Sequence, residues 1–240
     1  MNLLVTMITY NRLNYSKRTL EYFKDTISVP HYLMIVDNHS TDGTKEWIDG
    51  LLADKQIDMA IHNGENFYPG KATNIGWTAG VEFYPEATHL MRLDNDFVLL
   101  KGWDKEVERC FDKIKDLGQV GLDYAVMEIP EAEGREITIN GCTINPFPGN
   151  VGGTNVISRK VWDEGVRYDE SRWSKMGENI PTPQEDCKLS QEIARRGYSF
   201  GHLTKKLAWT FADESNWGDY PEYYKQTFSE RGYDNLLEKI

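Results

Sequence analysis

Cysteine is scarce in this sequence, and its scarcity excludes architectures that depend on many thiols. The 240 residues contain three cysteines, Cys110, Cys142 and Cys187. Their number is odd and they lie far apart, so we expect neither a disulfide framework nor a cysteine-based metal site. A reducing cytoplasm suits such a chain best.

Long apolar runs and a surplus of positive charge are also missing. No stretch reaches the ~20 apolar residues that a membrane-spanning helix needs, and the N-terminus lacks the features of a secretory signal. We therefore expect a soluble protein with no transmembrane segment. The 27 basic residues face 38 acidic ones, which gives a formal net charge of −11. This charge disfavours non-specific nucleic-acid binding, which depends on basic patches.

What is present is the composition of a globular protein, with 40% hydrophobic and 27% charged residues. Apolar runs typical of buried strands alternate with helical patterns through the first 100 residues. This alternation predicts a mostly parallel sheet with helices on its faces and with ligands at the carboxyl ends of its strands. The predicted strands cover residues 3–8, 32–36, 58–62 and 88–93, and the predicted helices cover residues 16–24, about 42–52 and 70–83.

The second half of the chain predicts shorter elements and a smaller antiparallel portion. After a predicted helix over residues 103–117, Asn140-Gly141 indicates a hairpin between short strands. Ser158 is suited to cap a helix that ends near Gly165. Residues 167–182 are polar and aperiodic, so we expect a mobile loop there. The aromatic residues after position 208 suit either sugar stacking or the anchoring of a tail on the core.

Asp94-Asn95-Asp96, at the end of the predicted strand 88–93, is the sharpest local signal. Two carboxylates two residues apart can bind one Mg²⁺ or Mn²⁺ ion that is shared with a diphosphate. The same tripeptide is also common as ordinary turn chemistry. Asp37, at the end of the second strand, has the same two interpretations.

Lys71 lies in a segment that comes close to a phosphate-binding P-loop and departs from it. One residue too many separates Gly64 from Gly70, and Ala72 stands where a metal-binding hydroxyl is needed. Lys71 at a helix start can still bind a phosphate, and a solvated lysine is an equal alternative.

Glu185-Asp186 lies at the start of another predicted helix, which Thr182 opens in a capping box and Gly197 closes. The capping box accounts for Glu185 and leaves Asp186 without a structural role. A helix N-terminus lowers the pKa of a carboxylate, so we expect Asp186 to be ionised and able to accept a proton. The five histidines show no spacing typical of metal ligands.

Taken in chain order, these segments resemble the GT-A type of glycosyltransferase, in particular the inverting nucleotide-sugar enzymes of family 2. Asp37 resembles the acid that reads the base, and residues 94–96 resemble the DXD motif. Glu185-Asp186 resembles the acidic pair whose aspartate is the catalytic base. The other matching residues are Thr9, Tyr10, Asn11 and Arg12 in the nucleotide loop, residues 70–76 before the DXD motif, and Gly152, Gly153, Thr154 and Asn155 at the donor-sugar and acceptor site.

The resemblance implies both a fold and a reaction. The fold is the α/β, Rossmann-like GT-A domain over residues 1–240, with a nucleotide-sugar half at 1–100, an acceptor half at 101–208 and an aromatic tail at 209–240. The reaction moves a sugar from a nucleotide-diphosphate donor, UDP-linked in our interpretation, to a hydroxyl of a glycan or another acceptor. The configuration at the anomeric carbon is inverted.

The resemblance also implies roles for individual residues. Asp94 and Asp96 would bind Mn²⁺ or Mg²⁺, and Asp94 would also contact the nucleotide. Arg12 and Lys71 would add positive charge near the phosphates. Asp186 would take the proton of the acceptor hydroxyl, with inversion as the result.

Two further features concern the sugar and the metal. Trp173, in the predicted mobile loop, would close over the donor sugar and exclude water. Many relatives have a metal-binding histidine after the strand that follows the acidic pair, whereas residues 207–211 contain none. His202 and Asp213 are weak substitutes for this third ligand.

Two other functions stay open at this point. A sugar-1-phosphate nucleotidyltransferase shares the sheet type and the use of a metal. Such an enzyme needs a phosphate-binding loop rich in glycine and basic residues after the first strand, and residues 9–12 contain no glycine. A non-catalytic nucleotide- or glycan-binding protein would keep the same fold. The acceptor is open among a polysaccharide, a lipid-linked carrier, a protein and a modified nucleobase, with the net charge weighing against DNA.

Overall fold

The structure is a computed structural model, and it describes residues 1–171 and 185–240 of the chain. Strands and helices alternate through the first hundred residues, as the sequence predicts. The strands are β1 (Leu3–Thr9), β2 (His31–Asp37), β3 (Met59–His62), β4 (His89–Asp94) and β5 (Phe97–Leu99), and the helices between them are α1 (Leu13–Thr26), α2 (Thr44–Ala53) and α3 (Tyr68–Phe83).

Shorter elements follow in the rest of the chain. The strands are β6 (Leu117–Gly121), β7 (Ile137–Ile139), β8 (Cys142–Asn145), β9 (Asn155–Ser158), β10 (Ser199–Leu203) and β11 (Ala208–Thr210). The helices are α4 (Trp103–Lys113), α5 (Arg159–Asp163), α6 (Glu185–Arg195), α7 (Pro221–Arg231) and α8 (Asp234–Leu237), and 3₁₀ helices cover Tyr124–Glu128, Pro130–Ala132 and Glu214–Asp219.

One nine-stranded sheet joins both halves of the chain, in the order β3-β2-β1-β4-β9-β6-β10-β8-β7. β3, β2, β1 and β4 are parallel, and Leu3 on β1 lies opposite His31 on β2 and His89 on β4. β9 runs antiparallel to both β4 and β6 and so connects the halves. A separate two-stranded sheet pairs β5 with β11.

The core lies on both faces of the sheet, and β1 shows why its sequence is a continuous apolar run. Successive side chains of a strand point to opposite faces. Val5 therefore packs in the layer that contains Phe23 of α1, whereas Leu4 packs in the layer that contains Trp77 of α3. All seven residues of β1 are buried. Because helices cover both faces, the strand needs apolar or neutral side chains at every position.

The hairpin and the short helix are found where the sequence predicts them. Asn140 and Gly141 both have positive φ, 50° and 78°, as a type I′ turn requires. The Ser158 side chain accepts a hydrogen bond from the backbone N–H of Val161 and so caps α5. The predicted mobile loop lies partly outside the described residues, as do Trp173 and the Thr182 cap.

The expectation that the cysteines form no disulfide is wrong for one pair. Cys110 of α4 and Cys142 of β8 are both buried and form a disulfide, with their Cα atoms 5.7 Å apart. The two residues are 32 positions apart in the chain. They meet because the β7–β8 hairpin folds back against α4, which spacing in the sequence does not reveal.

β6 was not expected, because the predicted helix 103–117 runs into it. The helix ends at Lys113 and the strand reads Leu-Gly-Gln-Val-Gly, which carries little of the β-branched signal of a strand. Its glycines permit close packing instead. A Cβ atom on Gly118 would lie 2.8 Å from Tyr198, and one on Gly121 would lie 2.6 Å from the ring of His202.

Within the described ranges, no helix combines the length and the apolar character that crossing a bilayer requires.

Candidate active site

A cavity of about 350 Å³ lies at the carboxyl ends of β1, β2 and β4. This is the edge where open parallel sheets bind ligands. Ile8 and Tyr10 reach it from β1 and the following loop, Asn38 from the end of β2, and Asp94 from the end of β4. The cavity therefore lies where the order of the strands in the sequence predicts a ligand site.

The Asp94-Asn95-Asp96 turn is fixed by hydrogen bonds on both sides. The backbone N–H of Asp94 donates to Thr154 Oγ1 over 3.0 Å, and Asn95 Nδ2 donates to Ser16 Oγ over 3.0 Å. Asn95 and Thr154 are buried. Asp94 and Asp96 both line the cavity, so the buried amide anchors the turn while the two carboxylates face the ligand space.

Arg92 joins the two acidic motifs of the chain. Its Nε donates to Asp94 Oδ1 over 2.8 Å, and its terminal nitrogen donates to Asp186 Oδ1 over 3.0 Å. The same nitrogen lies 3.9 Å from a carboxylate oxygen of Glu185. Arg92 is buried and lines the cavity. The first residue of the DXD motif and the second residue of the Glu-Asp pair thus share one guanidinium group.

Gly152 and Gly153 fill the space between Asp94 and Asp186 with backbone alone. The N–H of Gly153 donates to Asp186 Oδ2 over 3.4 Å. A Cβ atom on Gly153, whose φ is 59°, would lie 3.1 Å from Asp94 Oδ2, and one on Gly152 would lie 3.4 Å from Asp186 Oδ2. A side chain at position 153 would therefore push against a carboxylate and would strain the backbone.

The pKa of Asp186 differs from the sequence expectation. Burial raises the pKa of the Asp186 carboxyl to about 7, and the negative charges of Glu185 and Asp94 add to the rise, while Arg92 opposes it. The expected lowering by the helix N-terminus is therefore wrong. Desolvation among other carboxylates outweighs the helix dipole, which is weak compared with the loss of water around a charge.

Arg12 pairs with the other end of the DXD turn. Its guanidinium donates to Asp96 Oδ2 over 2.9 Å and to Asn95 Oδ1 over 2.6 Å. The Arg12 backbone is left-handed, with φ 57° and ψ 44°, and this places the residue directly before α1. Burial raises the pKa of Asp96, and the neighbouring charge of Asp94 adds to the rise, while Arg12 opposes it.

The C-terminal aromatic segment forms one wall of the cavity. The Tyr223 ring lies 4.2 Å from the guanidinium carbon of Arg12, and the Tyr224 hydroxyl accepts a hydrogen bond from Arg12 over 3.5 Å. The sequence allows either sugar stacking or an anchoring role for these aromatics; the contacts with Arg12 show the anchoring, and sugar stacking stays a prediction. The cavity-lining residues of this segment are Trp217, Tyr223, Tyr224, Thr227, Phe228 and Arg231.

Several residues of the predicted nucleotide site have partners away from the cavity. Asn11 Oδ1 accepts from the backbone N–H of Thr41, and Thr9 shares a hydrogen bond with Ser16. The Lys71 ammonium lies 3.7 Å from the centre of the Phe67 ring. Their assignment to nucleotide binding stays a prediction.

Asp37 is buried at the end of β2, where its carboxylate accepts from the backbone N–H of Ser40 over 3.0 Å. Its other oxygen lies 3.4 Å from His62 Nδ1. The next residue, Asn38, lines the cavity. The turn-forming interpretation of Asp37 therefore has direct contacts behind it, and its role in reading a base stays a prediction.

Asp94 and Asp96 fit a divalent cation that is shared with a diphosphate. Mg²⁺ and Mn²⁺ commonly bind through one or two carboxylates together with phosphate oxygens. Burial raises the pKa of Asp96 because a charged carboxylate is poorly solvated there, and a bound cation would compensate for that loss. Among residues 1–171 and 185–240, no third histidine, cysteine or acid forms a three-ligand cluster with this pair.

The proposed substitutes for a third ligand lie elsewhere. His202 is buried, its Nε2 atom lies 3.2 Å from the Asn150 carbonyl oxygen, and burial lowers its pKa to about 4. Asp213 caps the 3₁₀ helix Glu214–Asp219 by accepting from the backbone N–H of Ser215. Asp213 is thus accounted for by its local structure, whereas the buried Nδ1 atom of His202 has no hydrogen-bond partner among the described residues.

Sequence reasoning missed Arg92, Asn38 and the position of Asn95. Arg92 stands in the apolar run 88–93, two residues before Asp94 and hence on the same face of β4. A charged residue inside a buried strand needs a partner. That spacing was the available signal for the ion pair.

The comparison with protein families gives one match and the comparison with curated proteins gives none. Residues 4–148 match the family model described as Glycosyl transferase family 2. No curated protein matches the sequence.

Solved structures share the fold at low sequence identity. TarS 1–349 of S. aureus, in complex with UDP-GlcNAc, has a TM-score of 0.64 at 16% identity over 88% of this chain and 58% of its own. The mannosyltransferase PcManGT of Pyrobaculum calidifontis, with GDP-Man and Mn²⁺, has a TM-score of 0.64 at 15% identity over 99% and 64%.

GalNAc-T7 with UDP, GalNAc and Mn²⁺ is also similar, with a TM-score of 0.62 at 15% identity over 85% of this chain and 42% of its own. At these identities the likeness is one of fold. The chain spans 58% of the TarS 1–349 chain and 64% of the PcManGT chain.

Proposed function

Because this chain belongs to glycosyl transferase family 2 and is a glycosyltransferase, we propose that it transfers the sugar of a nucleoside-diphosphate sugar to an acceptor hydroxyl with inversion. One observation carries the proposal. Arg92 holds Asp94 and Asp186 at 2.8 and 3.0 Å, so the donor-binding acid and the base lie on either side of one guanidinium group.

The donor occupies the cavity at the carboxyl ends of β1, β2 and β4. Tyr10, Arg12 and Asn38 supply aromatic, cationic and amide contacts for a nucleotide there. We propose UDP as the nucleotide, since two of the structurally similar proteins are solved with UDP or a UDP-sugar. The structure of PcManGT contains GDP-Man, so binding of GDP should be measured alongside binding of UDP.

Asp94 and Asp96 are the residues that would hold a divalent cation beside the donor. When bound, Mn²⁺ or Mg²⁺ would offset the negative charge that develops on the departing diphosphate. Two of the similar structures contain Mn²⁺, which makes Mn²⁺ the first ion to test. Arg12 adds a positive charge beside Asp96 at the same edge of the cavity.

Asp186 removes the proton of the acceptor hydroxyl. Its two oxygens are oriented by Arg92 and by the Gly153 N–H, and its pKa near 7 makes the ionised form a usable base at neutral pH. The hydroxyl oxygen forms a bond to the anomeric carbon as the bond to the diphosphate breaks. This single displacement inverts the configuration.

The test measures the breakdown of UDP-sugars by the protein in the presence and absence of Mn²⁺. We expect release of UDP that depends on Mn²⁺, at a slow rate with water as acceptor and faster with a suitable sugar acceptor. Exchange of pyrophosphate into the donor would instead indicate a nucleotidyltransferase. Binding of UDP and GDP sugars with no turnover would contradict an enzymatic role. The exposed-site variant Asp163→Asn is the control for general damage, since Asp163 pairs with Arg159 on α5.

A further inference from the structure

Arg12 connects the DXD turn to the C-terminal helix. The residue is buried, and its guanidinium group lies between Asn95 and Asp96 on one side and Tyr223 and Tyr224 of α7 on the other. Its Nε is buried and has no hydrogen-bond partner in the described part of the chain. Burying a hydrogen-bond donor without a partner costs free energy, so the hydrogen-bonding capacity of the Arg12 guanidinium is not fully used in this position.

The position of Arg12 also bears on any cation at Asp96. The guanidinium lies 2.9 Å from Asp96 Oδ2, which is one of the oxygens that a divalent ion would use. Two positive groups on one partly buried carboxylate repel each other, because the surrounding protein screens their charges less than bulk water does. The Arg92 side differs, since Arg92 can keep Asp186 as a second acidic partner.

We propose that Arg12 and a divalent cation compete for Asp96, and that α7 holds the guanidinium against Asp96. The proposal rests on the cation site of the proposed function. The Tyr223 ring supports the guanidinium face by a cation–π contact at 4.2 Å, and the Tyr224 hydroxyl accepts from it. Arg12 is thus a positioning residue that sets how tightly the enzyme binds a cation before the donor arrives.

The competition has a reciprocal consequence. If the cation weakens the contact between Arg12 and Asp96, then weakening that contact must strengthen cation binding by the same free energy. Loss of the positive charge at position 12 should therefore raise the affinity for the cation alone. Loss of the α7 contacts should do the same to a smaller extent, because Arg12 would be held less firmly.

The experiment measures binding of Mn²⁺ alone to the full chain, by the electron paramagnetic resonance signal of free Mn²⁺. The variants are Arg12→Gln, Arg12→Lys, Tyr223→Leu and Asp96→Asn, with Arg18→Gln as the matched control. Arg18 lies on α1, close to Arg12 in the sequence, and it also stacks on an aromatic ring, that of Phe211 at 4.4 Å. Thermal melting of each variant checks that it is folded.

We expect Arg12→Gln to bind Mn²⁺ roughly 5-fold or more tightly than the wild type, which is the lower end of typical coupling between two ligands. Arg12→Lys, which keeps the charge, and Arg18→Gln should stay near the wild type, and Tyr223→Leu should lie between. Unchanged or weaker Mn²⁺ binding in Arg12→Gln overturns the proposal. If Arg12→Gln does not fold, unchanged binding in Tyr223→Leu overturns it.

Asp96→Asn separates this inference from the proposed function. If wild-type binding of Mn²⁺ is measurable and lost in Asp96→Asn, the cation site stands whatever Arg12 does. If neither the wild type nor Arg12→Gln binds Mn²⁺, with or without UDP, both the cation site and the competition are wrong.

Discussion

Two arginine–carboxylate groups meet at the cavity, and they are built from different parts of the fold. Arg92 lies on the central strand β4, and its partners are Asp94 at the end of that strand and Asp186 on α6. Arg12 lies in the loop before α1, and its partners are the DXD turn and the side chains of α7. The first group is fixed by the sheet, whereas the second depends on a loop and a tail.

The difference suggests a division of labour in the proposed reaction. A base must be held in one orientation during the proton transfer, and the Arg92 group, closed by the backbone of Gly152 and Gly153, provides that. A ligand that arrives and leaves needs partners that can adjust. The Arg12 group, with one unsatisfied nitrogen and aromatic neighbours, suits a site where an arriving cation competes with Arg12 for Asp96.

The largest effect is expected for Asp186→Asn, which removes the proposed catalytic base from the Arg92 group. Transfer should fall by roughly 10² to 10⁴, the usual loss when a general base is removed. The variant should still fold, because asparagine has the size of aspartate and its side-chain oxygen can accept the hydrogen bond of Arg92. Thermal melting, UDP affinity and transfer rate on one preparation check this result. Near-normal transfer would mean another base, and a large loss of stability would mean a structural carboxylate.

Asp96→Ala breaks the other group. In the wild type, Mn²⁺ should tighten UDP binding by roughly 5- to 150-fold, the common range of coupling between two ligands. That gain should disappear in Asp96→Ala, because the carboxylate that shares the cation with the diphosphate is gone. Calorimetric titration of UDP with and without Mn²⁺ measures both values. A gain equal to that of the wild type would exclude Asp96 as a ligand.

The pH dependence of transfer sharpens the comparison on the Arg92 side. The Asp186 carboxyl has a pKa raised to about 7 by burial, with Glu185 and Asp94 adding to the rise and Arg92 opposing it. The base must be ionised, so transfer should increase with pH through this region and level off above it, with a fall of roughly tenfold for each pH unit well below the pKa. A rate that is flat between pH 5 and pH 8 contradicts the assignment.

Folding stability should change with pH in the opposite direction to the transfer rate. The raised pKa means that the folded state favours the neutral carboxyl, so Asp186 contributes stability at low pH that is lost as the pH rises through its folded pKa. Asp186→Asn cannot ionise and should lack this part of the slope. Melting temperatures of both proteins at pH 5 and pH 8 give the comparison.

Gly153→Ala tests whether the space between the two acids must stay empty. A Cβ atom there would lie 3.1 Å from Asp94 Oδ2, whereas one on Gly165, also at positive φ, would meet nothing within 4 Å. Both substitutions place alanine at a positive φ, 59° at position 153 and 88° at position 165. Only Gly153→Ala should displace Asp94, with a fall in transfer of roughly tenfold. Equal activity of the two variants would show that the glycine serves the backbone alone.

The sequence predicts more of the parallel half than of the tail, for physical reasons. The strands from β1 to β4 are apolar runs that end in polar residues, so both the sheet and its ligand edge follow from local pattern. Asp94, Asp96 and Tyr10 were accordingly found in the cavity wall.

The features that could not be predicted from the sequence depend mainly on contacts between distant segments. The pairing of Arg12 with Tyr223 joins residues near opposite ends of the chain. The raised pKa of Asp186 follows from its burial, with a contribution from Asp94, which is distant in sequence. β6 escaped prediction because its glycines serve close packing and carry no strand signal.

Asp37→Ala should have the smallest effect, and it compares the β2 end of the cavity with both arginine groups. If Asp37 contacts the nucleotide base, the variant should bind UDP a few-fold more weakly, roughly the net contribution of one hydrogen bond. The increase in UDP affinity caused by Mn²⁺ should be unchanged. Asp58→Ala is the control, because Asp58 likewise accepts a backbone N–H, that of Leu33 over 2.7 Å, but is not next to a cavity-lining residue as Asp37 is to Asn38. Both variants lose the side-chain acceptor of a backbone N–H. Asp37→Ala should lose more stability, because Asp37 is buried and Asp58 is exposed. A weaker affinity for UDP in Asp37→Ala alone would assign Asp37 to the nucleotide, whereas equal affinities would leave it as the residue that orders Ser40 and presents Asn38 to the cavity.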